Sequence, residues 1–237
     1  MLNEQDKMSE HEKLVTVLRY QGALAVESQL VDLANKEGDE AIVRIAGNLS
    51  AAEVAQVTSE ADMVSPSLLH TAVNLEQFRG VFRRIGVRWS SAEQEDCSPE
   101  TLQELQDELK QFFCAFILLN EDGKRRVELM NVILDEPHGI HALVFSVVHE
   151  KDFLEFLESN GSTSDVGDWR EVIGILRNNF PEQWERFKKI LPDCYNGNDY
   201  LNFIHEIAAE IYAVAVSQGA VRRTEVEKAD DLFIPLE

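Results

Sequence analysis

His138, His141 and His149 fall within "EPHGIHALVFSVVHE", the fifteen residues from Glu136 to Glu150, and make up half of the six histidines in the chain. Imidazole is the commonest metal ligand and a general acid or base suited to neutral pH, so metal binding and proton transfer are the first chemistries to weigh. Spacing decides between them. On a helix through 138–150 each residue turns about 100° and rises about 1.5 Å. Ile140, Leu143, Val144, Val147 and Val148 then form an apolar stripe centred about 200° from His138. His149 returns to within about 20° of His138 but stands about 16 Å further along the axis, too far to share one ion. His141 lies one turn from His138 and could join it and Asp135 in a D-x-x-H-x-x-H group. Zinc catalysis needs three protein ligands, an open position and outer groups that hold the imidazoles, and nothing nearby in sequence supplies the remainder. The expectation is that the imidazoles face water, and that no metal or other cofactor is bound.

Other catalytic patterns fail on similar grounds. His11-Glu12, His149-Glu150 and His205-Glu206 are followed, four residues after each histidine, by Val15, Phe153 and Ala209, so H-E-x-x-H does not occur. No glutamate stands three residues before a histidine, which removes the E-x-x-H signature of di-iron bundles. G-x-S-x-G, G-x-G-x-x-G and G-x-x-x-x-G-K-[ST] are missing too. The chain is therefore expected not to be an enzyme.

The elements that would carry these residues read as helices. Ser9 with Glu12, and Ser50 with Glu53, have the spacing of capping boxes. Ser98 with Pro99 opens "SPETLQELQDELKQFFCAFILLNEDG", where Leu102, Leu105, Leu109, Phe112, Phe113 and Phe116 hold one stripe and carry the helix to about Asn120. "GALAVESQLVDLANKEG", "DWREVIGILRNN", "PEQWERFKKIL" with Pro181 at its start, and "DYLNFIHEIAAEIYAVAVSQG" are further helices. The fold class is all-α, arranged as antiparallel helical hairpins or a bundle, with residues 112–148 also compatible with a small β-meander turning at Asp122-Gly123 and at 137–139. Residues 1–89 form an N-terminal helical domain and 90–98 a polar linker. A C-terminal helical domain spans 99–220, and 221–237 is an acidic and apolar tail.

Charge limits the partners. The chain has 237 residues, 44% of them hydrophobic, enough for a substantial core, and it carries 43 acidic against 22 basic residues for a net charge of -21. That field opposes nucleic acid and anionic membranes and favours cationic partners. Cys97, Cys114 and Cys194 show no C-x-x-C spacing and read as free thiols in a reducing compartment. No secretory or membrane-spanning segment is recognisable, so the expected location is the cytoplasm.

Against this background "NLEQFRGVFRRIGVRW" is locally basic. Arg79, Arg83, Arg84 and Arg88 stand among Phe78, Phe82 and Trp89, the side-chain mixture of interaction hot spots. The end of the chain, "DDLFIPLE", sets Leu232, Phe233 and Ile234 beside two aspartates. In outline it resembles the acidic, apolar tail tips of bacterial single-stranded DNA-binding proteins, which dock on basic, apolar pockets of partner enzymes. The likeness implies a docking mechanism and covers eight residues. These two segments are the expected partner contacts of a non-enzymatic adaptor, regulator or accessory subunit of a larger cytoplasmic assembly, whose partner is another protein with a basic surface. Two alternatives compete with it: a small metal-dependent enzyme using Asp135, His138 and His141, and a DNA-binding regulator reading through residues 65–89.

Overall fold

The computed structural model describes residues 10–60, 68–93, 99–147 and 168–195. All secondary structure among them is helical, so the protein is all-α, and the stretch 112–147 that could have formed strands is helical as well. The helices are α1 (Glu10–Gln21), α2 (Ala23–Glu37), α3 (Asp39–Ala46), α4 (Ala51–Glu60), α5 (Leu68–Ala72), α6 (Leu75–Glu93), α7 (Pro99–Phe113), α8 (Gly123–Asp135), α9 (Gly139–Val147), α10 (Trp169–Asn179) and α11 (Pro181–Tyr195). A π-helical segment, Cys114–Leu118, extends α7. The helix expected over 199–219, the tail 221–237 and Ser9 of the expected first capping box lie outside the described residues. None of the described helices is long and apolar enough to cross a membrane.

Two compact units are present, one formed by Met1–Phe82 with Gln111–Val132, the other by Arg83–Lys110 with Ile133–Glu237. In the first, α2 packs against α1, α3, α4 and α5. It buries Val26 and Leu30, four apart and therefore on one face. Single glycines separate α1 from α2 and α2 from α3: Gly22 has φ 82° and ψ 179°, Gly38 φ 84° and ψ 174°. That region of backbone space is open essentially to glycine alone, which is why the chain can leave one helix and start the next within a single residue.

Local hydrogen bonds set the helix starts. The Ser50 N–H donates to the Glu53 carboxylate at 2.7 Å and the Glu53 N–H donates to Ser50 Oγ at 3.2 Å, the reciprocal capping box anticipated from sequence. Asn74 and Gln77 make a second such pair at the start of α6, each backbone N–H donating to the other's side-chain oxygen at 2.9 Å. The Gln77 amide is buried, and its Nε2 also donates to the carbonyls of Ala46 and Leu49, both at 2.6 Å. One side chain thus starts α6 and ties it to the turn after α3, joining the Leu49 N–H on the Ala46 carbonyl and pairing the Leu49 carbonyl.

An aromatic cluster fills the middle of this unit. Phe112 lies with its ring centroid 5.0 Å from those of both Phe78 and Phe116, and 5.7 Å from that of Phe82; His70 stands 4.6 Å from Phe116. The π-helical turn closes with the Leu119 N–H donating to the Cys114 carbonyl, 3.0 Å away and five residues back. Phe116, Ile117 and Leu118 are all buried in it. Arg126 then donates to the Leu118 carbonyl at 2.8 Å, capping the segment.

In the second unit α9 packs against α10 and α11, which also pack on each other. Asp168 caps α10, its carboxylate accepting from the Arg170 N–H at 2.8 Å. Pro181 is the first residue of α11, where its missing N–H costs nothing.

Candidate partner-binding surface

The locally basic segment forms α6, and its aromatic and cationic residues face different surroundings. Phe78 and Phe82 are buried in the aromatic cluster, so neither ring is a surface contact. Their spacing of four is the inward stripe of an amphipathic helix, a periodicity that explains them without a partner. Arg79 makes an ion pair with Glu76 at 2.7 Å. Arg84 is exposed and makes no ion pair among the described residues. Arg88 and Trp89 lie on α6, while their side chains, and all of Leu232, Phe233 and Ile234, lie outside what the structure describes.

Arg83 departs furthest from a solvated contact residue. Its Nε and Nη2 each donate at 2.9 Å to one oxygen of Glu136, a fork-to-fork pair across 53 residues of sequence. The Glu136 side chain is only 3% exposed and that of Arg83 32%. A carboxylate so far from water is tolerable because both its oxygens are satisfied by a fixed cation. Arg83 is therefore a structural tie within the second unit.

Glu136 begins the turn between α8 and α9, and the histidines of the opening motif follow it. His138 is 2% exposed, which corrects the expectation that it faces water. The helix starts one residue later, at Gly139, and the His138 carbonyl accepts the first helical bond, from Ala142 at 3.0 Å. All of α9 is buried except His141, which is partly exposed. The warning was already in the sequence: on the helical projection Ala142 and Phe145 lie about 40° and 20° from His138, so the supposed wet side was itself apolar. A short helix that is apolar all round belongs in a core. Burial holds the His138 imidazole down to about 4, against an upward pull from Glu136 and further lowering by His141 and Arg83. Burial alone lowers His70, likewise to about 4, in the first unit, where Thr58 Oγ1 lies 3.0 Å from its Nε2.

Among the described residues, no group of three or more His, Cys, Asp or Glu side chains is placed to hold a metal ion, so Asp135, His138 and His141 are not assembled into a three-ligand site. His149 lies outside the described residues. Cys114 is a half-buried free thiol whose pKa burial pushes up, the opposite of what a nucleophile needs.

The turn from Glu136 to Gly139 is also tight. A Cβ on Gly139 would overlap the backbone carbonyl of Ile133, so the end of α8 and the start of α9 approach this closely only with glycine there. Sequence reasoning passed over Glu136, Gln77 and Gln106, buried polar side chains that tie distant segments, the last through its Nε2 donating to the Phe145 carbonyl at 2.8 Å. Only Gln77 left a local trace, the N-x-x-Q spacing of a capping box.

No family model, curated protein or solved structure matches the chain, so its functional reading rests on its own residues.

Proposed function

We propose that this protein is a non-enzymatic, protein-binding adaptor, regulator or accessory subunit whose partner presents a basic surface. The observation that carries the reading is an excess of carboxylates that the chain's own cations do not neutralise. Its 43 acidic residues outnumber 22 basic ones, and Arg44, Arg79, Arg83, Lys110, Arg125, Arg170 and Lys188 are each already engaged with a nearby carboxylate. The remaining field draws cationic surfaces and repels nucleic acid and anionic lipid. Arg84, with Arg88 and Trp89 further along α6, and the tail around Leu232, Phe233 and Ile234 are the contacts to test first.

The test is affinity purification of the full chain followed by mass spectrometry, with bound proteins eluted along a salt gradient. A stoichiometric partner of basic surface that leaves by about 0.5 M salt fits the reading, since exposed charge attraction is largely screened there. An Arg84→Glu/Arg88→Glu double variant then asks whether α6 belongs to the contact. Arg83 is left intact, because reversing its charge would set two carboxylates face to face. Recovery of no such partner, or stoichiometric retention of zinc or iron after dialysis, would refute the proposal.

A further inference from the structure

On α2 two large apolar side chains lie away from the core, Leu24 at 71% and Val31 at 46% exposure. Ser28 lies between them and Asn35 beyond, both exposed. The Ser28 hydroxyl donates to the Leu24 carbonyl at 3.0 Å, so it is satisfied by its own helix and leaves a small, largely apolar gap between the two large residues. The spacing 24, 28, 31, 35 alternates four, three, four, the seam of a coiled coil. Taking Leu24 as zero, Ser28, Val31 and Asn35 fall within about 40° of it, so the four form one straight stripe about 16 Å long. Glu27, about 60° away on one side, and Asp32, about 80° away on the other, put a carboxylate on each flank, while Lys36 stands further round, beyond Asp32. Asp32 is exposed, and Glu27 is half-buried, with one carboxylate oxygen accepting from the Leu68 N–H at 3.2 Å.

We propose that this face of α2 docks an amphipathic helix of a partner protein whose apolar seam is bordered by lysine or arginine. The inference rests on the protein-binding reading and gives it a location and a chemistry. An incoming helix can seat a leucine over Ser28, between Leu24 and Val31, while its flanking cations meet Glu27 and Asp32. Asn35 ends the apolar part of the stripe with an amide, and a single polar residue in such a seam sets register, so the partner should carry a polar side chain at that level. The flanking charges disfavour two other occupants. A second copy of α2 would bring the same acidic flanks against these, and the tail "DDLFIPLE" offers apolar residues beside aspartates.

The probe is a synthetic helical peptide with leucine at its seam positions, one asparagine at the end of the seam and lysine on both flanks, titrated into the full-length protein at 0.15 M salt. Its controls are a sequence-scrambled peptide of identical charge and the protein variant Leu24→Ser/Val31→Ser. That variant leaves every charge in place and alters only exposed positions, and its melting temperature confirms that it folds. The expected result is at least tenfold weaker binding of the scrambled peptide to the wild-type protein, and of the amphipathic peptide to the variant. Equal binding of both peptides, or no loss in the variant, would overturn the α2 site. So would a dimer in light scattering that the variant dissolves, or a tenfold gain in affinity on deleting residues 229–237, since either would show the face already covered. The peptide results bear on α2 alone; the broader protein-binding reading falls if affinity purification yields no salt-sensitive partner or if zinc or iron is retained stoichiometrically after dialysis.

Discussion

Removing Arg83 should destabilise the protein far more than a surface arginine would. The guanidinium holds both oxygens of Glu136 at 2.9 Å, and the carboxylate has almost no access to water with which to replace it. Breaking a buried pair from one side strands the other charge and costs about 3–5 kcal/mol, against about 1 kcal/mol or less for an exposed pair. Arg83→Met is therefore expected to cost about 3 kcal/mol or more. Glu136→Gln is milder, about 1–2 kcal/mol, because the third of the arginine side chain in water lets the cation stay solvated and the amide still accepts one hydrogen bond. Arg83→Met/Glu136→Leu, which removes both charges, should recover most of the loss, since apolar replacement of a buried pair is often close to neutral. Urea denaturation of wild type, Arg83→Met, Glu136→Leu and Arg83→Met/Glu136→Leu gives the cycle directly, with Glu136→Gln as the milder comparison. For a chain of this size each kcal/mol moves the melting temperature by about 2–4 °C, so Arg83→Met should melt roughly 6–12 °C below wild type. A loss under about 1 kcal/mol in Arg83→Met, or a double variant as unstable as the sum of the singles, would count against Arg83 as a structural tie.

Three further outcomes follow from the buried polar groups and tight turns. His70 and His138 have folded-state values near 4, below the ordinary value of a histidine, so the folded protein favours neutral rings; the stability this confers is complete above about pH 6.5 and is lost as pH falls toward 4, by up to about 3 kcal/mol for each ring. An NMR titration of the two Cε1 protons alongside urea midpoints from about pH 7 to 4 checks this, and a ring titrating at about 6 or above would contradict it. Gln77→Ala should cost about 1–3 kcal/mol by stranding the Leu49 carbonyl, since the Ala46 carbonyl keeps the Leu49 N–H at 3.0 Å, and Gln77→Glu should cost more because a carboxylate would face both carbonyls; chemical denaturation that finds the Glu variant more stable than the Ala variant would rule out the bridge. Gly139→Ala should lower thermal stability more than Gly38→Ala, since a Cβ at 139 meets the Ile133 backbone whereas at 38 only the dihedral strain of about 1–3 kcal/mol applies; equal losses in a thermal melt would show the α8–α9 turn can yield.

Much of the secondary structure was written locally. Ser50 with Glu53, Pro99 and Pro181 mark helix starts through bonds or ring geometry spanning a few residues, and the apolar stripe of α7 passes through Leu105, Leu109, Phe112 and Phe116 at helical spacing. In α6 the same local periodicity could not say which residues would remain at the surface. Phe78 and Phe82 follow the inward period and are buried accordingly, whereas the fate of Arg83 depends on a carboxylate 53 residues later. His138 shows the converse, because a helical projection with two apolar sides does not say which neighbours will enclose the imidazole.

Sequence alone determined that the chain would form helices, where several of them would begin, and that it would carry a strongly acidic field. Helix period, capping and net charge depend on residues within a turn or two of each other, or on simple sums. Tertiary structure decided that His138 would lose its water, that Arg83 would serve Glu136, and that Leu24 and Val31 would be left outside while Val26 and Leu30 were covered. Those outcomes depend on which distant segment packs against which face, and a charge or an apolar side chain acquires its role only when that neighbour arrives.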